Sequence, residues 1–250
     1  MRIIEKLKLR QRAYKYKNKN DIGGIDFLIS TLKKGDAVLD IGAHKAGYLY
    51  WMQKITGNEG KIFAFEPQSV LFDYLTYIKE IFHWNNVTVE HLALSDNAGE
   101  TTLYIPLNKI RKKSSPEATI LNIQNKKTVV KKEKIKTDTL DSYCSKMNIK
   151  PAFIKIDVEG NELNVFHGGK NIITKYKPKI LVEIEARHAG KDKVLKTFEF
   201  LKNLGYHGFF LHHSGRIPLV NFNFEVYQNK SDMENYCNNF IFEACYNKTK

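Results

Sequence analysis

"VLDIGAHKAGY", residues 38–48, decides how the rest of the chain is read. Val38, Leu39 and Ile41 read as a short buried strand, Asp40 ends it with a charge, and Gly42 permits a tight turn. "GYLYWMQKIT", from Gly47 onward, then reads as a helix. A strand, a glycine turn and a helix form the first unit of an open α/β sheet, and ligands of such sheets sit beyond the carboxyl ends of the strands.

The same rhythm repeats downstream. "KIFAFEP" is a second strand, "SVLFDYLTYIKEIF" a helix with apolar residues three and four apart, and "NVTVEHLAL" a third strand. After Asp96 "GETTLYIP" and "KTVVKKEKIKT" read as strands around a basic, Ser/Pro-containing loop, an insert at about 99–137 of the kind that covers or shapes a site. Alternation resumes with "TLDSYCSKMN", a helix capped by Thr139 or Asp138, then "PAFIKID", "NELNVFHGGKNIITKY", "PKILVEIE", "KDKVLKTFEFLKNLGY", "HGFFLHH" and "NNFIFEACY". The pattern predicts about seven strands in a mostly parallel sheet with helices on both faces.

With 250 residues, the chain has room for one domain, residues 36–250, behind a basic helical extension at 1–35. A hydrophobic fraction of 42% and a charged fraction of 27% exclude disorder throughout. No apolar run approaches the roughly 18 residues of a membrane helix, and "MRIIEKLKLR" lacks the apolar block of a signal peptide. Cys144, Cys237 and Cys245 form no C-x-x-C pair, so neither a disulfide framework nor a zinc site is expected, and reduced thiols fit a cytoplasmic location. The net charge of +13 draws anionic partners without choosing among them. Residues 1–20 set Arg2, Lys6, Lys8, Arg10, Arg12, Lys15, Lys17 and Lys19 against Glu5 alone, with Ile3, Ile4, Leu7 and Tyr14 at loosely helical spacing. Two readings stand: a helix lying on an anionic surface, or a solvated helix packing Ile4 and Leu7 on the domain.

Asp40, Gly42, Ala43, His44 and Gly47 fall where the first strand meets its ligand. Gly42 and Gly47 have the spacing of the first and last glycines of G-x-G-x-x-G, yet His44 takes the middle place, where a side chain obstructs a pyrophosphate. The second strand ends on Glu66 before Pro67, 19 residues after Gly47, and an acid there can accept hydrogen bonds from both ribose hydroxyls of a nucleoside. The third strand brings Leu94 and Ser95 near the base. A D-x-G-A strand end followed by an E-P strand end therefore suggests an adenosine-bearing cofactor without a pyrophosphate, and S-adenosylmethionine fits.

"TLDSYC", "FIKIDVEGNELNVFHGG" and "KPKILVEIE" follow in that order. Over roughly residues 37–187 the chain resembles the FkbM family of S-adenosylmethionine-dependent methyltransferases, "KIDVEGNE" being its most specific piece. The resemblance implies the Rossmann-like class I methyltransferase fold, with seven strands of which the last is antiparallel, and O-methylation of a hydroxyl on a sugar, glycan or other small molecule. One departure is plain: where the family carries a glycine after D-x-G-A this chain has Ala46, with Gly47 next. Asp157 ends its strand beside the cofactor's methionine half, Glu159 and Glu162 follow, and carboxylates there can accept from an amino group or take a hydroxyl proton. His188, just past "ILVEIEA", is the favoured base ahead of Asp157, while Glu162 also suits the positive end of its own helix. Glu183 and Glu185 could orient the acceptor or Lys155, and no metal is expected.

An RNA methyltransferase and a non-catalytic basic binding module are the alternatives. Amino-directed nucleic-acid enzymes commonly carry N/D-P-P-Y/F after the fourth strand, where this chain has "IDVEG". A binding module leaves Asp40, Glu66 and Asp157, three acids at three strand ends, without a reason. The acceptor pocket is expected from "HHSGRIPLVNFNFEVYQNK" and from loop 107–127, where Lys109, Arg111, Lys112, Lys113, Lys126 and Lys127 suit an anionic acceptor.

Overall fold

The period-two strands and 3.6-period helices expected above form in chain order. The structure, a computed structural model, describes residues 2–21, 23–107, 113–121 and 129–245. α1 (Arg2–Lys15) runs through a π-helical turn at Tyr16–Asn20 toward α2 (Gly24–Thr31). β1 (Ala37–Ile41), α3 (Gly47–Thr56), β2 (Lys61–Phe65) and α4 (Ser69–Phe82) follow the residue patterns closely.

The third predicted strand is two strands. β3 (Val87–Glu90) pairs with β2, whereas β4 (Ala93–Ser95) leaves the main sheet. β4 joins β5 (Gly99–Leu107) and β6 (Val129–Thr139) in a separate three-stranded sheet. α5 (Leu140–Lys146) starts where Thr139 Oγ1 accepts the Ser142 N–H at 3.1 Å, which settles the cap between the two candidates. β7 (Phe153–Ile156) comes next, and the helix expected over 161–176 divides into α6 (Glu162–Gly168) and α7 (Lys170–Tyr176). The break has a packing cause: a Cβ on Gly168 would stand 2.1 Å from the Ser95 carbonyl oxygen.

β8 (Lys179–Glu183), α8 (Ala186–Ala189), α9 (Lys191–Asn203), β9 (Tyr206–His212), β10 (Gly215–Pro218), α10 (Phe224–Tyr227) and β11 (Asn239–Ala244) complete the chain. The main sheet has the order β10-β9-β11-β8-β7-β1-β2-β3, eight strands rather than seven, because β9 turns back as a hairpin into β10. β11 is antiparallel between β8 and β9, as expected of the last strand.

Side-chain alternation along β1 divides the core. Leu39 and Ile41 join the cluster beneath α5, α6, α7 and α9, while Val38 joins the cluster formed with α1 to α4. The basic N-terminal segment belongs to the second cluster through Leu9 and Ala13, both fully buried. Arg12 Nη1 donates to the Lys45 carbonyl and the Tyr74 hydroxyl, each at 2.9 Å, and Trp51 Nε1 donates to the Ala13 carbonyl at 3.0 Å. Ile4 and Leu7, which one reading packs on the domain, are each 56% exposed. That reading fails because the helix docks through the face one-third of a turn or more away, where Leu9 and Ala13 lie.

Candidate active site

β1 lies in register between β2 and β7, so the loops leaving all three share one rim. Gly42 leaves β1 with φ 82°, and a Cβ there would stand 1.9 Å from the Asp157 carbonyl oxygen. The sequence suggests that Gly42 admits a ligand; what approaches it so closely is the backbone that ends β7. His44 and Ala46 follow with φ 46° and 62°. Ala46 thus holds a left-handed conformation suited to the glycine of the resembled family, at a cost of about 1–2 kcal/mol for a residue bearing Cβ.

Lys155 is the partner of Asp40 across β7 and β1. Its Nζ donates to the Gly42 carbonyl at 3.0 Å and to Asp157 Oδ2 at 3.4 Å, and stands 3.7 Å from Asp40 Oδ1. The last is an ion-pair contact rather than a hydrogen bond, since neither Asp40 oxygen has a hydrogen-bond partner. Burial alone lowers the Lys155 pKa, but Asp157, Asp40 and Glu183 more than reverse it and hold the ammonium charged. Asp40 is completely buried, and desolvation raises its pKa against the pull of Lys155.

Glu66, 3% exposed, follows β2 directly. Its Oε2 accepts the His44 N–H and its Oε1 the Gln68 N–H, each at 2.9 Å. Burial raises its pKa to about 7 despite those two donors. Gln68 in turn exchanges two hydrogen bonds with Ser115, Nε2 to the carbonyl at 2.9 Å and Oε1 from the N–H at 3.0 Å. These bonds fasten residues 113–121 of the insert over the rim.

A cavity of about 390 Å³ results, within the range of small-ligand sites of roughly 300–1,000 Å³. Gly42, Ala43, His44, Gly47, Glu66, Pro67, Leu94, Asp157 and Glu159 line it, so the structure gathers nine sequence-selected positions around one space. Asp40, Ser95 and His188 are not among the lining residues. Asp40 lies behind Lys155; Ser95, carried off by β4, meets Asn161 Nδ2 at 3.4 Å. His188 stands behind Glu159, Nε2 to Oε2 2.9 Å, a contact off the line of a hydrogen bond. The Glu159 carboxylate raises the His188 pKa. Glu162 faces inward as a turn brace, accepting the Gly160 N–H at 2.8 Å, and burial raises its pKa to about 7.

Several lining residues lack a local sequence signal. Tyr16 and Asp21 come from the N-terminal segment, Asn238 from just before β11 and Asn239 from its start, and Pro116 to Ile120 from the insert. The aspartate before Gly23 and Gly24, and the amide pair before "FIF", are the traces they leave in the sequence. Of the basic residues expected around the acceptor, Lys109, Arg111, Lys112, Lys126 and Lys127 lie outside the described residues.

Among the described residues, the acids Asp21, Glu66, Asp157, Glu159 and Glu183 line the cavity together with the basic side chains of Lys45, Lys155 and Arg187. Lys155 is engaged with Asp40 and Asp157, and Arg187 grips Glu185 with Nη2 at 2.6 Å and Nε at 2.5 Å. Burial first, then the charges of Asp157, Glu159 and Glu185, push the Glu183 carboxyl well above its usual range. Acids crowded this way in a basic chain fit a cationic ligand.

Asp21 provides a pH test. It accepts the Gly24 N–H at 3.1 Å and Asn239 Nδ2 at 3.2 Å on one oxygen and bonds the Tyr48 hydroxyl through the other; burial raises its pKa to about 7. Between the unfolded value and about 7 the folded chain holds a proton that the unfolded chain has lost, so stability falls as pH rises through this window. Asn at this position keeps both oxygen-side bonds and lets its amide donate to Tyr48 without ever ionising. Asp21→Asn is therefore expected to gain on the order of 2–3 kcal/mol at pH 8 and little at pH 4, read by urea denaturation at both. Equal gains at the two pH values would show that Asp21 ionises freely.

The sheet order, the antiparallel β11 and the rim cavity define a Rossmann-like domain of the class I methyltransferase type. The Methyltransferase FkbM domain family matches residues 40–207, and the chain belongs to that family. Among solved structures, methyltransferase FkbM from Methylobacillus flagellatus KT is 17% identical with a TM-score of 0.55, the match covering 84% of this chain and 44% of that one. The chain thus spans less than half of that protein's length. Fibrillarin from Aeropyrum pernix, solved with natively bound S-adenosyl-L-methionine, is 10% identical with a TM-score of 0.49, over 88% of this chain and 73% of that one. At 17% identity the likeness to the Methylobacillus flagellatus protein concerns the fold alone. No curated protein matches the chain.

Proposed function

We propose that the chain is an S-adenosylmethionine-dependent methyltransferase that O-methylates a hydroxyl of a small molecule or saccharide. The observation that carries the reading is the acid-lined cavity at the shared rim of β1, β2 and β7, with Glu66 buried in its wall. In this assignment Glu66 keeps acceptor capacity for two ribose hydroxyls, the turn from Gly42 to Gly47 borders the methionine half, and Asp157 faces its amino group. Leu94 and Pro67 offer apolar contact to the base. When bound, the cofactor supplies a methyl group on a cationic sulfur.

The rest falls to the chain's own side chains. Asp157 and the Glu159–His188 pair are the groups assigned to receive the acceptor's proton, with Glu159 facing the cavity and His188 acting through it. Tyr16, Asn238 and Asn239 are hydrogen-bonding groups of the kind that read neighbouring hydroxyls. Arg187, already paired to Glu185, borders the same region and suits an anionic acceptor. Cys144 and Cys237 are free and buried and Cys245 is free, which agrees with a cytoplasmic setting. Among the described residues no helix is long and apolar enough to cross a membrane.

Calorimetric titration with S-adenosylmethionine tests the assignment. Wild type is expected to bind, and Glu66→Ala to bind about 10- to 100-fold more weakly, the loss of charge-assisted bonds to the ribose. Far-UV circular dichroism keeps folding separate from affinity. No heat of binding from wild type, or unchanged affinity in a folded Glu66→Ala variant, would overturn the ribose role.

A further inference from the structure

We infer that α1 docks the protein on the surface of an anionic lipid bilayer. The helix has two apolar sides that the fold treats differently. Leu9 and Ala13 are fully buried against the domain, whereas Ile3, Ile4, Leu7 and Tyr14 are 73%, 56%, 56% and 44% exposed. At about 100° per residue, positions 3, 7 and 14 fall within one narrow sector with position 4 at its edge, while position 9 lies on the far side and position 13 about a quarter of a turn from the sector. The domain therefore holds the helix so that its second apolar stripe faces outward.

Exposed basic residues border that stripe: Arg10 on one side, Lys8 and Lys15 on the other, with Arg2 on the same helix. Apolar side chains entering the acyl boundary with lysine and arginine at headgroup level is the arrangement of an interfacial helix. Charge complementarity names the lipid: Arg2, Lys8, Arg10 and Lys15 are exposed on α1, Lys8 pairing with Glu5 at 2.7 Å, and the chain carries +13 overall. A nucleic acid would use the cations but leave Ile3, Ile4 and Leu7 in water. The docked face keeps its own fastenings through Arg12 and Trp51, so membrane contact needs no unfolding of the helix from the domain.

The inference is independent of the cofactor assignment. Its test is flotation of the full chain with vesicles of phosphatidylcholine alone and of phosphatidylcholine with about 30% phosphatidylglycerol, at low and high salt. Wild type is expected to float with the anionic vesicles and not with the neutral ones, more weakly at high salt. Ile3→Asp with Leu7→Asp is expected to lose at least tenfold in partitioning while the unfolding midpoint stays unchanged, both residues being exposed. Absence of flotation with anionic vesicles overturns the proposal. So does flotation that the double variant retains, which would reduce the effect to charge alone, as does tighter retention on a mixed RNA oligonucleotide that the double variant leaves unaltered.

Discussion

Lys155→Met is expected to destabilise the domain by about 3–5 kcal/mol at pH 7, the cost of breaking a buried ion pair on one side. The ammonium stands between Asp40 and Asp157 and donates to the Gly42 carbonyl. Without it the Asp40 carboxylate, completely buried and without a hydrogen-bond partner, faces an apolar neighbour. Asp40 would then hold a proton in the folded state well above its unfolded pKa, so the penalty shrinks as pH falls toward 4 and is complete above the folded value. Urea denaturation at pH 7 and pH 4 reads both effects. Asp40→Leu added to Lys155→Met is expected to recover most of the loss, because a matched apolar pair removes the stranded charge. A single-variant loss below about 1 kcal/mol, or no recovery in the pair, would mean that the lysine is not what holds β1 and β7 together at this rim.

Gly42→Ala is the second large effect, and its cause is steric. The new methyl would lie 1.9 Å from the Asp157 carbonyl oxygen, and the position has φ 82°. Left-handed backbone costs a residue with Cβ about 1–2 kcal/mol, and forcing the loops apart adds about 1–3 kcal/mol more. A total near 4 kcal/mol is expected in chemical denaturation, together with loss of measurable S-adenosylmethionine binding, since the displaced turn carries His44, whose N–H bonds Glu66 at 2.9 Å. Gly47→Ala serves as the contrast. Its added Cβ would meet the Tyr16 ring at 3.4 Å, a contact that asks little of its neighbours. If both variants behave alike, the close approach of the two loops is not what selects glycine at 42.

The half of the site nearest β1 and β2 was legible because short-range rules govern it. An apolar run ending in Asp40, a glycine turn and a helix start fix one another within a dozen residues, and β1, α3, β2 and α4 fell where their periods placed them. The failures share a cause in long-range packing. "NVTVEHLAL" alternates like one strand, yet β4 is drawn off to pair with β6, a partner more than forty residues away. Gly168 and Gly169 divide an otherwise helical pattern because Ser95 and Leu140 press against them from other elements. β10 escaped notice because "GRIP" has little apolar content and exists as the return arm of a hairpin. For the same reason Tyr16, Asp21, Asn238 and Asn239 were missed: chain segments near the two ends meet at the cavity, and no period in either announces the other.

Glu66 and Gln68 stand two residues apart, one in the wall of the cavity and the other tied to Ser115 above it. Roof and grip are therefore hinged on a single dipeptide step. The peptide under residues 113–121 also presents its N–H to Glu66 at 2.9 Å. The roof and the carboxylate thus share one brace: Gln68 holds residues 113–121 with its side chain and Glu66 with its backbone N–H.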